Sequence, residues 1–518
     1  MKDIGKLPFD AVIFDLDGVV TKTALVHAGA WKAAFDEYMK MREERDGEPF
    51  KEFTHNDDYL PYVDGKPRYE GVKSFLESRN IHIPYGDPSD PPEKETVCGI
   101  GNRKNFKFRE VLAKEGAEVF GSTVDFIKAL KKRGVRIGVA SSSKNCKPIL
   151  ESVKLEDLFE TRVDGVVSAD MGLKGKPEAD IFVMAAKNVD ADPAHSIVVE
   201  DAVSGVQAGR NGAFGLVIGV AREDNEEELL ANGADIAVRD LSEIDISWIR
   251  KWFNRKPKRL NLHHKITEDI FLGSKRSVFF LDYDGSLTPI VKRPELAVLS
   301  GKMRDAIKKL SEKHTVAIVS GRMREDVQKL VSIEGVFYAG SHGFDIQGPG
   351  FSLIQPEAEE TIPLITRVTG ALKEEFGNVE GVLIEDKKFS VAVHYRLARA
   401  KEIPRIRNRV NEIVERNRKL RFMSGKKVFE IIPDIRWSKG MAMRWILKAL
   451  NIGWADASVV YIGDDVTDED AFRMLRTRGT SILVSKKAKV SAANFYLTSP
   501  QEVKNLFEKI TELREHFT

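Results

Sequence analysis

Short apolar runs alternate along the chain with stretches in which apolar residues recur at the spacing of a helix. The runs occupy residues 12–14, 136–140 and 196–199 in the first half, and 278–281, 315–319 and 458–463 in the second. Apolar runs of this length are typical of buried parallel strands. The pattern therefore predicts repeated βαβ units, which build α/β domains around parallel sheets.

The alternation stops between the two halves. Residues 247–253 form a last amphipathic turn, and a polar, basic, proline-containing run follows at 254–259. Such a run is more typical of a solvated linker than of an anion-binding or nucleic-acid-binding segment. A chain of 518 residues also exceeds a single-core domain. We therefore predict one α/β domain over 1–253, a linker over 254–271 and a second α/β domain over 272–518.

Composition narrows the class of protein. Hydrophobic residues make up 42% of the chain, and its net charge of +2 gives no reason to expect a nucleic-acid partner. Cys98 and Cys146 are far apart and outside any Cys-x-x-Cys motif, so neither a disulfide framework nor a zinc site is indicated. Because no basic-apolar leader and no apolar stretch of about 18 residues occurs, we expect a soluble cytoplasmic protein without a membrane partner. The oligomeric state stays open.

Each half opens with the same acidic motif. The first apolar run of each half leads into Asp-x-Asp-Gly, at residues 15–18 and 282–285. Ligands of open α/β sheets bind beyond the carboxyl ends of the strands, so each motif brings two carboxylates to that place. One copy is also compatible with a surface turn. Two copies occur, and each is followed by further phosphate-handling motifs in the same order. This repetition favours a catalytic site over a surface turn.

The later motifs of the first half follow predicted strands. Ser141 comes after the run 136–140, Lys176 precedes a proline that we expect to start a helix, and Glu200 and Asp201 follow the run 196–199. A hydroxyl at a strand end followed by a helix can donate to a phosphate. Carboxylates at another strand end suit Mg²⁺, which prefers oxygen ligands.

The second half repeats this order with different spacing. Ser320 follows a predicted strand, Lys439 comes much later, and carboxylates crowd into residues 464–470. Carboxylates this close together repel one another unless a cation lies among them, which favours a Mg²⁺ site over a plain helix start. Only about 35 residues separate Asp284 from Ser320, too few for an inserted cap. We therefore expect an α+β cap over about 343–435, with paired strands near 382–385 and 390–395.

The first half resembles the β-phosphoglucomutase branch of the haloacid dehalogenase superfamily. The resemblance rests on the stretches 15–23, 140–145, 175–177 and 199–202. It implies a helical cap over about 23–118, in which the Pro/Asp-rich stretch 84–92 is an unusual insertion. It implies these roles: Asp15 as nucleophile and Asp17 as acid/base; Ser141 and Lys176 as phosphate holders; His27, Arg68, Lys144 and Asn145 as substrate contacts; Asp15, Asp17, Glu200 and Asp201 as metal ligands.

The second half resembles trehalose-6-phosphate phosphatase over about 272–516. The cap stretches 340–343, 385–388, 393–396 and 425–430 carry the resemblance, together with 463–472. It implies these roles: Asp282, Asp284, Ser320 and Lys439 in catalysis; Asp282, Asp284, Asp464, Asp465 and Asp468 as metal ligands; Arg322, His342, Glu385, His394, Arg396, Lys426, Lys427 and Glu430 as sugar contacts. The family commonly continues Glu-x-Arg-Pro where this chain has Ile432, although Arg436 lies nearby.

Together these expectations describe two α/β phosphotransferases in one chain. The second would hydrolyse trehalose 6-phosphate with Mg²⁺, and the first would act on a sugar phosphate such as β-glucose 1-phosphate. Small-molecule sugar phosphates are then the expected partners. Two alternatives remain: a broad sugar-phosphate phosphatase in both halves, and a catalytically idle N-terminal module that only binds sugar phosphates.

Overall fold

The computed structural model describes residues 7–262, 277–291, 294–425, 427–435 and 437–515. The chain divides into two compact units, Met1–Asn254 and Arg255–Thr518. Each unit consists of a core with a largely parallel sheet and a separate cap. Within the described residues, no helix combines the length and the apolar composition that crossing a membrane requires.

The N-terminal core is a six-stranded parallel sheet in the order β3-β2-β1-β4-β5-β6. Its strands are Ala11–Phe14 (β1), Arg136–Ala140 (β2), Thr161–Val163 (β3), Ser196–Glu200 (β4), Leu216–Val220 (β5) and Ile236–Val238 (β6). The central strands β1, β4 and β5 are buried along their whole length, as the apolar runs at 12–14 and 196–199 predict for β1 and β4. Apolar clusters cover both faces of this sheet.

Helices form the N-terminal cap and flank the N-terminal sheet. The cap, which lies between β1 and β2, contains Ala24–Asp46 (α1), a π turn at His55–Tyr59, Leu60–Tyr62 (α2), Arg68–Ser78 (α3) and Val97–Glu115 (α4). The core helices are Gly121–Lys131 (α5), Cys146–Ser152 (α6), Gly165–Met171 (α7), Asp180–Asn188 (α8), Val203–Asn211 (α9), Glu226–Asn232 (α10) and Ile246–Phe253 (α11). The cap has its own core, built around stacked aromatic rings such as Trp31 and Phe35.

The C-terminal core is a nine-stranded sheet in the order β12-β11-β10-β9-β8-β17-β18-β19-β7. Its strands are Lys258–Arg259 (β7), Ser277–Asp282 (β8), Thr315–Val319 (β9), Phe337–Gly340 (β10), Asp345–Gly348 (β11), Phe351–Ile354 (β12), Ser458–Gly463 (β17), Thr480–Val484 (β18) and Phe495–Leu497 (β19). All neighbouring pairs are parallel except β10 with β11 and β11 with β12. The flanking helices are Gly301–Lys313 (α12), Arg324–Val331 (α13), Lys439–Ala449 (α17), Glu469–Leu475 (α18) and Pro500–Glu515 (α19).

The second cap is α+β. Its antiparallel sheet has the order β13-β14-β16-β15. The strands are Leu383–Asp386 (β13), Val391–His394 (β14), Leu420–Gly425 (β15) and Val428–Pro433 (β16), and the helices are Pro356–Glu359 (α14), Ile362–Phe376 (α15) and Glu402–Arg416 (α16). The apolar faces of α15 and α16 pack with this sheet in one cluster. The two expected fold classes, a helical cap on the first core and an α+β cap on the second, are confirmed.

Three boundaries differ from the sequence predictions. Part of the expected linker, Lys258–Arg259, pairs with β19 as an edge strand, whereas 263–271 lies outside the described residues. The hairpin of β11 and β12 extends the core sheet, although the expected cap range of 343–435 includes it. Pro177 does not start a helix, because α8 begins only at Asp180. Each of these segments is too short to carry a periodic pattern of its own.

Candidate active sites

The first acidic motif places Asp15 at the end of β1. Its backbone N–H donates to the Val199 carbonyl of the neighbouring strand at 2.9 Å. Lys176 reaches the same point and donates from Nζ to Asp15 Oδ1 at 2.5 Å and to Glu200 Oε1 at 3.0 Å. The side chains of Asp15, Lys176 and Glu200 are all buried. Burial raises the pKa of Asp15 to about 6, although Lys176 acts to lower it.

The second acidic motif builds the same arrangement in the other core. Asp282 ends β8, and Lys439 begins α17 beside it. The Lys439 Nζ donates to Asp282 Oδ1 at 2.6 Å and to Asp468 Oδ1 at 2.7 Å. Burial opposes the charge on Lys439, but the two carboxylates outweigh it and raise the pKa of the ammonium group. Each core therefore places one buried aspartate at a strand end against one buried lysine.

Asp468 is saturated with hydrogen bonds. Besides Lys439, its Oδ1 accepts from Tyr461 Oη at 2.9 Å, and its Oδ2 accepts from the backbone N–H groups of Asp464 at 2.9 Å and Asp465 at 3.0 Å. Four donors fill the acceptor positions that a carboxylate offers. Asp468 therefore fixes both the lysine and the turn that carries Asp464.

Steric constraints explain why each acidic motif ends in glycine. Gly18 and Gly285 have φ values of 86° and 89°, which disfavour any residue with a Cβ atom. A Cβ atom on Gly18 would lie 1.7 Å from Asp201 Oδ2, and one on Gly285 would lie 2.0 Å from Asp464 Oδ2. The glycines thus let an acidic side chain from the adjacent strand end come against the motif.

Carboxylate oxygens cluster at both strand ends. Among the described residues, two groups bring three such oxygens within 4.8 Å of one another: Asp15, Glu200 and Asp201 in the first core, and Asp282, Asp464 and Asp468 in the second. Burial and then the neighbouring Glu200 raise the pKa of Asp201 well above its usual value. A hard divalent cation relieves this repulsion and prefers oxygen ligands, so Asp15 and Asp201 in the first core and Asp282 and Asp464 in the second fit Mg²⁺.

Asp17 lies outside the first oxygen cluster because its carboxylate faces the cap. Its Oδ1 accepts from Thr23 Oγ1 and lies 3.3 Å from His27 Nε2, and Ser141 Oγ donates to its Oδ2 at 3.4 Å. Burial alone would raise the pKa of Asp17, but His27 and Thr23 lower it to about 2. This carboxylate is therefore held in its ionised form by Thr23 and His27.

In the second core, Asp284 and Asp465 likewise lie outside the oxygen cluster. Arg322 holds Asp284 with two parallel hydrogen bonds, from Nε and Nη2, each of 2.7 Å. The Asp465 side chain instead caps the short turn that begins at Val466. Ser320 lies at the end of β9 and accepts from the Arg322 backbone N–H at 3.1 Å. These contacts fix the orientation of Asp284 and Ser320.

The first core has a cavity between the strand ends and the cap. The residues that line it include Asp15, Asp17, His27, Arg68, Ser141, Lys144, Asn145, Lys176, Glu200 and Asp201. The cap loop closes on the core through two serine hydroxyls: Ser142 donates to the Gly65 carbonyl at 2.9 Å, and Ser204 donates to the Asp64 carbonyl at 3.2 Å. The structure therefore brings together every residue that we expected at this site.

A buried lysine extends the site towards the cap. Lys104 Nζ lies 2.5 Å from His27 Nδ1 and 4.9 Å from the centre of the Trp31 ring. Burial and then the nearby Arg68 lower the pKa of Lys104 to about 7. Lys104, His27 and Asp17 thus form a chain of groups along which a proton can move.

Arg68 is oriented by neutral amides. Its Nη2 donates to Asn105 Oδ1 at 2.8 Å, and the same oxygen accepts from Asn145 Nδ2 at 2.8 Å. Among the described residues, the hydrogen-bond partners of Arg68 are neutral amides, and the groups that shift its pKa most, apart from burial, are Tyr69 and Arg109 rather than a carboxylate. Its charge is therefore available to an anion in the cavity.

In the second unit, the cap presents a buried polar cluster around Glu430. Glu430 Oε1 accepts from Ser390 Oγ at 2.7 Å and from Lys387 Nζ at 3.3 Å, and its Oε2 lies 3.4 Å from His342 Nε2. Burial acts to raise the pKa of Glu430, but Lys387 and His342 hold it far below its usual range. His342 has a φ of 59°, and its ring lies against Gly321. This contact connects the cluster to the loop after Ser320.

Two other expected sugar contacts, Glu385 and His394, lie on the cap sheet. On the same face of the cap sheet, His394 Nε2 lies 2.7 Å from Glu385 Oε2. Arg396 and Lys427 are exposed. Lys426 and Arg436 lie outside the described residues.

Sequence reasoning missed several residues of both sites. Thr23, Lys104 and Asn105 contact the N-terminal catalytic groups, and Lys387 and Ser390 contact Glu430. Lys387 lies within the cap stretch 385–388 that carries the family resemblance, so this stretch could have indicated that Lys387 belongs to the site. Lys104 had no such signal, because only folding brings it to His27.

The folds and sites define a class of phosphate-transferring α/β enzyme, present twice. A model of haloacid dehalogenase-like hydrolases matches residues 9–212, and a model of trehalose-phosphatases matches residues 280–501. The chain therefore belongs to the haloacid dehalogenase-like hydrolases, with a β-phosphoglucomutase-type N-terminal half and a trehalose-phosphatase C-terminal half.

Some curated relatives match mainly one half of the chain, and another matches almost all of it. A β-phosphoglucomutase of Mycobacterium bovis is 45% identical over 45% of this chain and 90% of its own length. A trehalose-phosphate phosphatase of Mycobacterium leprae is 33% identical over 75% of this chain and 92% of its own length. An uncharacterized glycosyl hydrolase of Mycobacterium tuberculosis is 36% identical over 95% of this chain, which spans only 37% of that relative.

Proposed function

We propose that the C-terminal half is a Mg²⁺-dependent phosphatase that converts trehalose 6-phosphate and water to trehalose and phosphate. The polar cluster around Glu430 carries this proposal. Trehalose is polar and uncharged, so a site that selects it needs buried hydrogen-bonding groups opposite the nucleophile. The match to trehalose-phosphatases over residues 280–501 supports the same substrate.

The proposed reaction has two steps on Asp282. Its carboxylate attacks phosphorus while Asp284 gives a proton to the departing sugar oxygen, which leaves an aspartyl-phosphate. Asp284 then removes a proton from the water that releases phosphate. Lys439 and Ser320 bind the phosphate oxygens, and Arg322 holds Asp284 in line through both of its carboxylate oxygens.

The carboxylates assigned to the metal are Asp282 and Asp464 in the second core and Asp15 and Asp201 in the first. These residues would hold Mg²⁺, which would supply positive charge to the phosphate oxygens. We assign Glu200 and Asp468 to the lysines instead, because both accept hydrogen bonds from the lysine Nζ. Their role is to keep Lys176 and Lys439 charged and aimed at the phosphate.

For the N-terminal half we propose a sugar phosphotransferase that acts on β-glucose 1-phosphate, either as a mutase or as a phosphatase. The closed cap and the unpaired charge of Arg68 carry this proposal, because a mutase must exclude water and hold a second phosphate away from Asp15. Asp17 would move the proton at the reacting oxygen, with His27 and Lys104 behind it.

The two chemistries are separable in the full-length chain. Asp15→Asn and Asp282→Asn each remove one nucleophile, and each variant is assayed with Mg²⁺ against a panel of sugar phosphates. Glucose 6-phosphate from β-glucose 1-phosphate and trace bisphosphate indicates a mutase, and inorganic phosphate alone indicates a phosphatase. If the folded N-terminal site binds the sugar phosphate but forms neither product, the idle-module alternative is correct. Release from many sugar phosphates at similar rates would favour the broad phosphatase.

We further propose a cytoplasmic location with sugar phosphates as the ligands. Cys98 and Cys146 are both free and buried, which suits a reducing compartment. Fractionation of the expressing cells, followed by immunodetection, tests this location.

A further inference from the structure

The loop at residues 84–92 is an ordered part of the N-terminal cap. Its backbone carbonyls at Pro84 and Tyr85 accept from the N–H groups of Val97 and Cys98, each at 3.0 Å. The Asp90 carboxylate gathers three donors: the Asp87 backbone N–H at 3.0 Å, Lys94 Nζ at 2.5 Å and Thr96 Oγ1 at 2.7 Å. These hydrogen bonds fix the conformation of the loop and therefore the positions of its backbone carbonyl groups.

Asn102, on α4, joins this loop to the active-site cavity. Its Nδ2 donates to the carbonyls of Pro88 at 3.0 Å and Asp90 at 2.8 Å. A flipped amide would bring Oδ1 against two carbonyl oxygens, so these contacts determine which end of the amide faces the loop. Oδ1 must then face the opposite side, towards α3.

On that side Oδ1 accepts from Tyr69 Oη at 3.1 Å and from Arg68 Nη1 at 3.4 Å. Asn105 Oδ1 takes the other end of the guanidinium group at 2.8 Å. A Cβ atom on Gly101 would lie 2.8 Å from the Tyr69 ring and 3.2 Å from Arg68 Cδ, so α4 packs closely on the start of α3. Arg68 is thus aimed by two amides while its charge stays uncompensated.

We propose that Asn102 is a positioning residue through which the 84–92 loop aims Arg68 at a second, non-reacting phosphate group of the substrate. The inference rests on the proposed function of the N-terminal half and names a determinant of its specificity. The stretches that carry the resemblance of this half include neither Asn102 nor this loop. A substrate with only the reacting phosphate does not need this contact.

The test uses the full-length chain with Asp282→Asn, so that the C-terminal site releases no phosphate. Asn102→Ala and Asn102→Asp are compared with Asn188→Ala, a control at the end of α8 whose amide contacts only Thr161 in the described structure. The substrates are β-glucose 1,6-bisphosphate and acetyl phosphate, which carries a single phosphate. We expect KM for the bisphosphate to rise about tenfold in both Asn102 variants, with kcat and acetyl phosphate hydrolysis changed less than about twofold.

A variant in the 84–92 loop, outside the cavity, tests the proposal without a direct change to the residues around Arg68. Asp90→Asn loosens the loop and should raise KM for the bisphosphate in the same direction by a smaller factor. An unchanged KM in both Asn102 variants overturns the proposal. So does a parallel loss with acetyl phosphate, because that result shows general disruption of the site.

Binding measured without turnover separates this inference from the proposed function. Asp15→Asn, combined with Asp282→Asn, is titrated with β-glucose 1,6-bisphosphate by calorimetry, with and without each Asn102 substitution. If the protein binds but the parent enzyme never turns over glucose phosphates, the proposed function fails, and the change in Kd still decides the role of Asn102. No binding at all overturns both.

Discussion

At the scale of single residues, the carboxylate that holds the phosphate-site lysine comes from a different position in each half. Glu200 directly precedes Asp201, whereas Asp468 follows Asp464 by four positions. Both nevertheless accept a hydrogen bond from the lysine Nζ that also donates to the nucleophile. The same charge arrangement is therefore built twice from different local sequences, and residue type and spacing alone could not distinguish this role from metal binding.

Asp468→Asn should cripple the C-terminal site. The amide nitrogen of asparagine faces hydrogen-bond donors at a position where the carboxylate accepted from them, so at least one of the four hydrogen bonds is lost. Lys439 also loses one of its two negatively charged partners and keeps only Asp282. We expect roughly 3 kcal/mol of destabilisation and a fall of about 100-fold in kcat for trehalose 6-phosphate. The measurements are urea unfolding and phosphate release. Asp465→Asn is the matched control and should change stability by less than about 1 kcal/mol; equal effects from the two substitutions would disprove the assignment.

Lys104→Met should alter the pH dependence of stability. The folded Lys104 has a pKa of about 7, against an ordinary value of 10.5, so between these values the unfolded chain binds more protons than the folded chain. Stability of the wild type therefore gains up to about 1.4 kcal/mol per pH unit in this window relative to the variant. Urea unfolding at pH 7, 8, 9 and 10 measures the difference between the two proteins. A difference that stays constant would show that Lys104 is not buried as a neutral amine.

At the scale of elements, strand ends and tight turns position the chemistry. In both cores the nucleophile lies at the end of a strand buried on both sides, and a glycine turn follows it. Such strands leave a strong apolar signal, which is why their ends were predictable from the sequence. The predicted site aspartates and serines lie at strand ends of this kind, whereas Lys176 and Lys439 lie away from them.

Gly285→Ala tests the turn of the second core. The new methyl group meets Asp464 Oδ2 at 2.0 Å, and its φ of 89° is strained for alanine. We expect a loss of about 1–2 kcal/mol from the backbone alone and a larger loss of phosphatase activity, because Asp464 must move. Gly301→Ala, at the start of α12 with nothing within 4 Å of the new atom, is the control and should be nearly neutral. Full activity in Gly285→Ala would contradict the proposed place of Asp464.

Elements without a strong pattern escaped prediction. The edge strand at Lys258–Arg259 is two exposed basic residues, which no hydrophobic period reveals. The contact of His27 with Lys104 joins helices α1 and α4, which no local pattern connects. Lys387 and Glu430 likewise meet across the cap sheet. What could not be predicted is therefore mainly the pairing of polar side chains from separate elements.

At the scale of the whole molecule, the two proposed active sites lie in two separately compact units. Removal of divalent metal should stop both reactions, since each site gathers buried carboxylates that a cation must neutralise. Exhaustive chelation followed by assays with trehalose 6-phosphate and β-glucose 1-phosphate checks this, with Mg²⁺ added back as the control. Turnover that persists without metal would remove the metal from the mechanism of that site.

The most direct test of the account is phosphate release from trehalose 6-phosphate by the full-length chain and its two nucleophile variants. Asp282→Asn should abolish release while the protein stays folded by circular dichroism, because the phosphate acceptor is gone. Asp15→Asn should retain the wild-type rate, since its substitution lies in the other unit. Release by Asp282→Asn above a few per cent of the wild-type rate, or its loss in Asp15→Asn, would contradict the assignment of this activity to the C-terminal site.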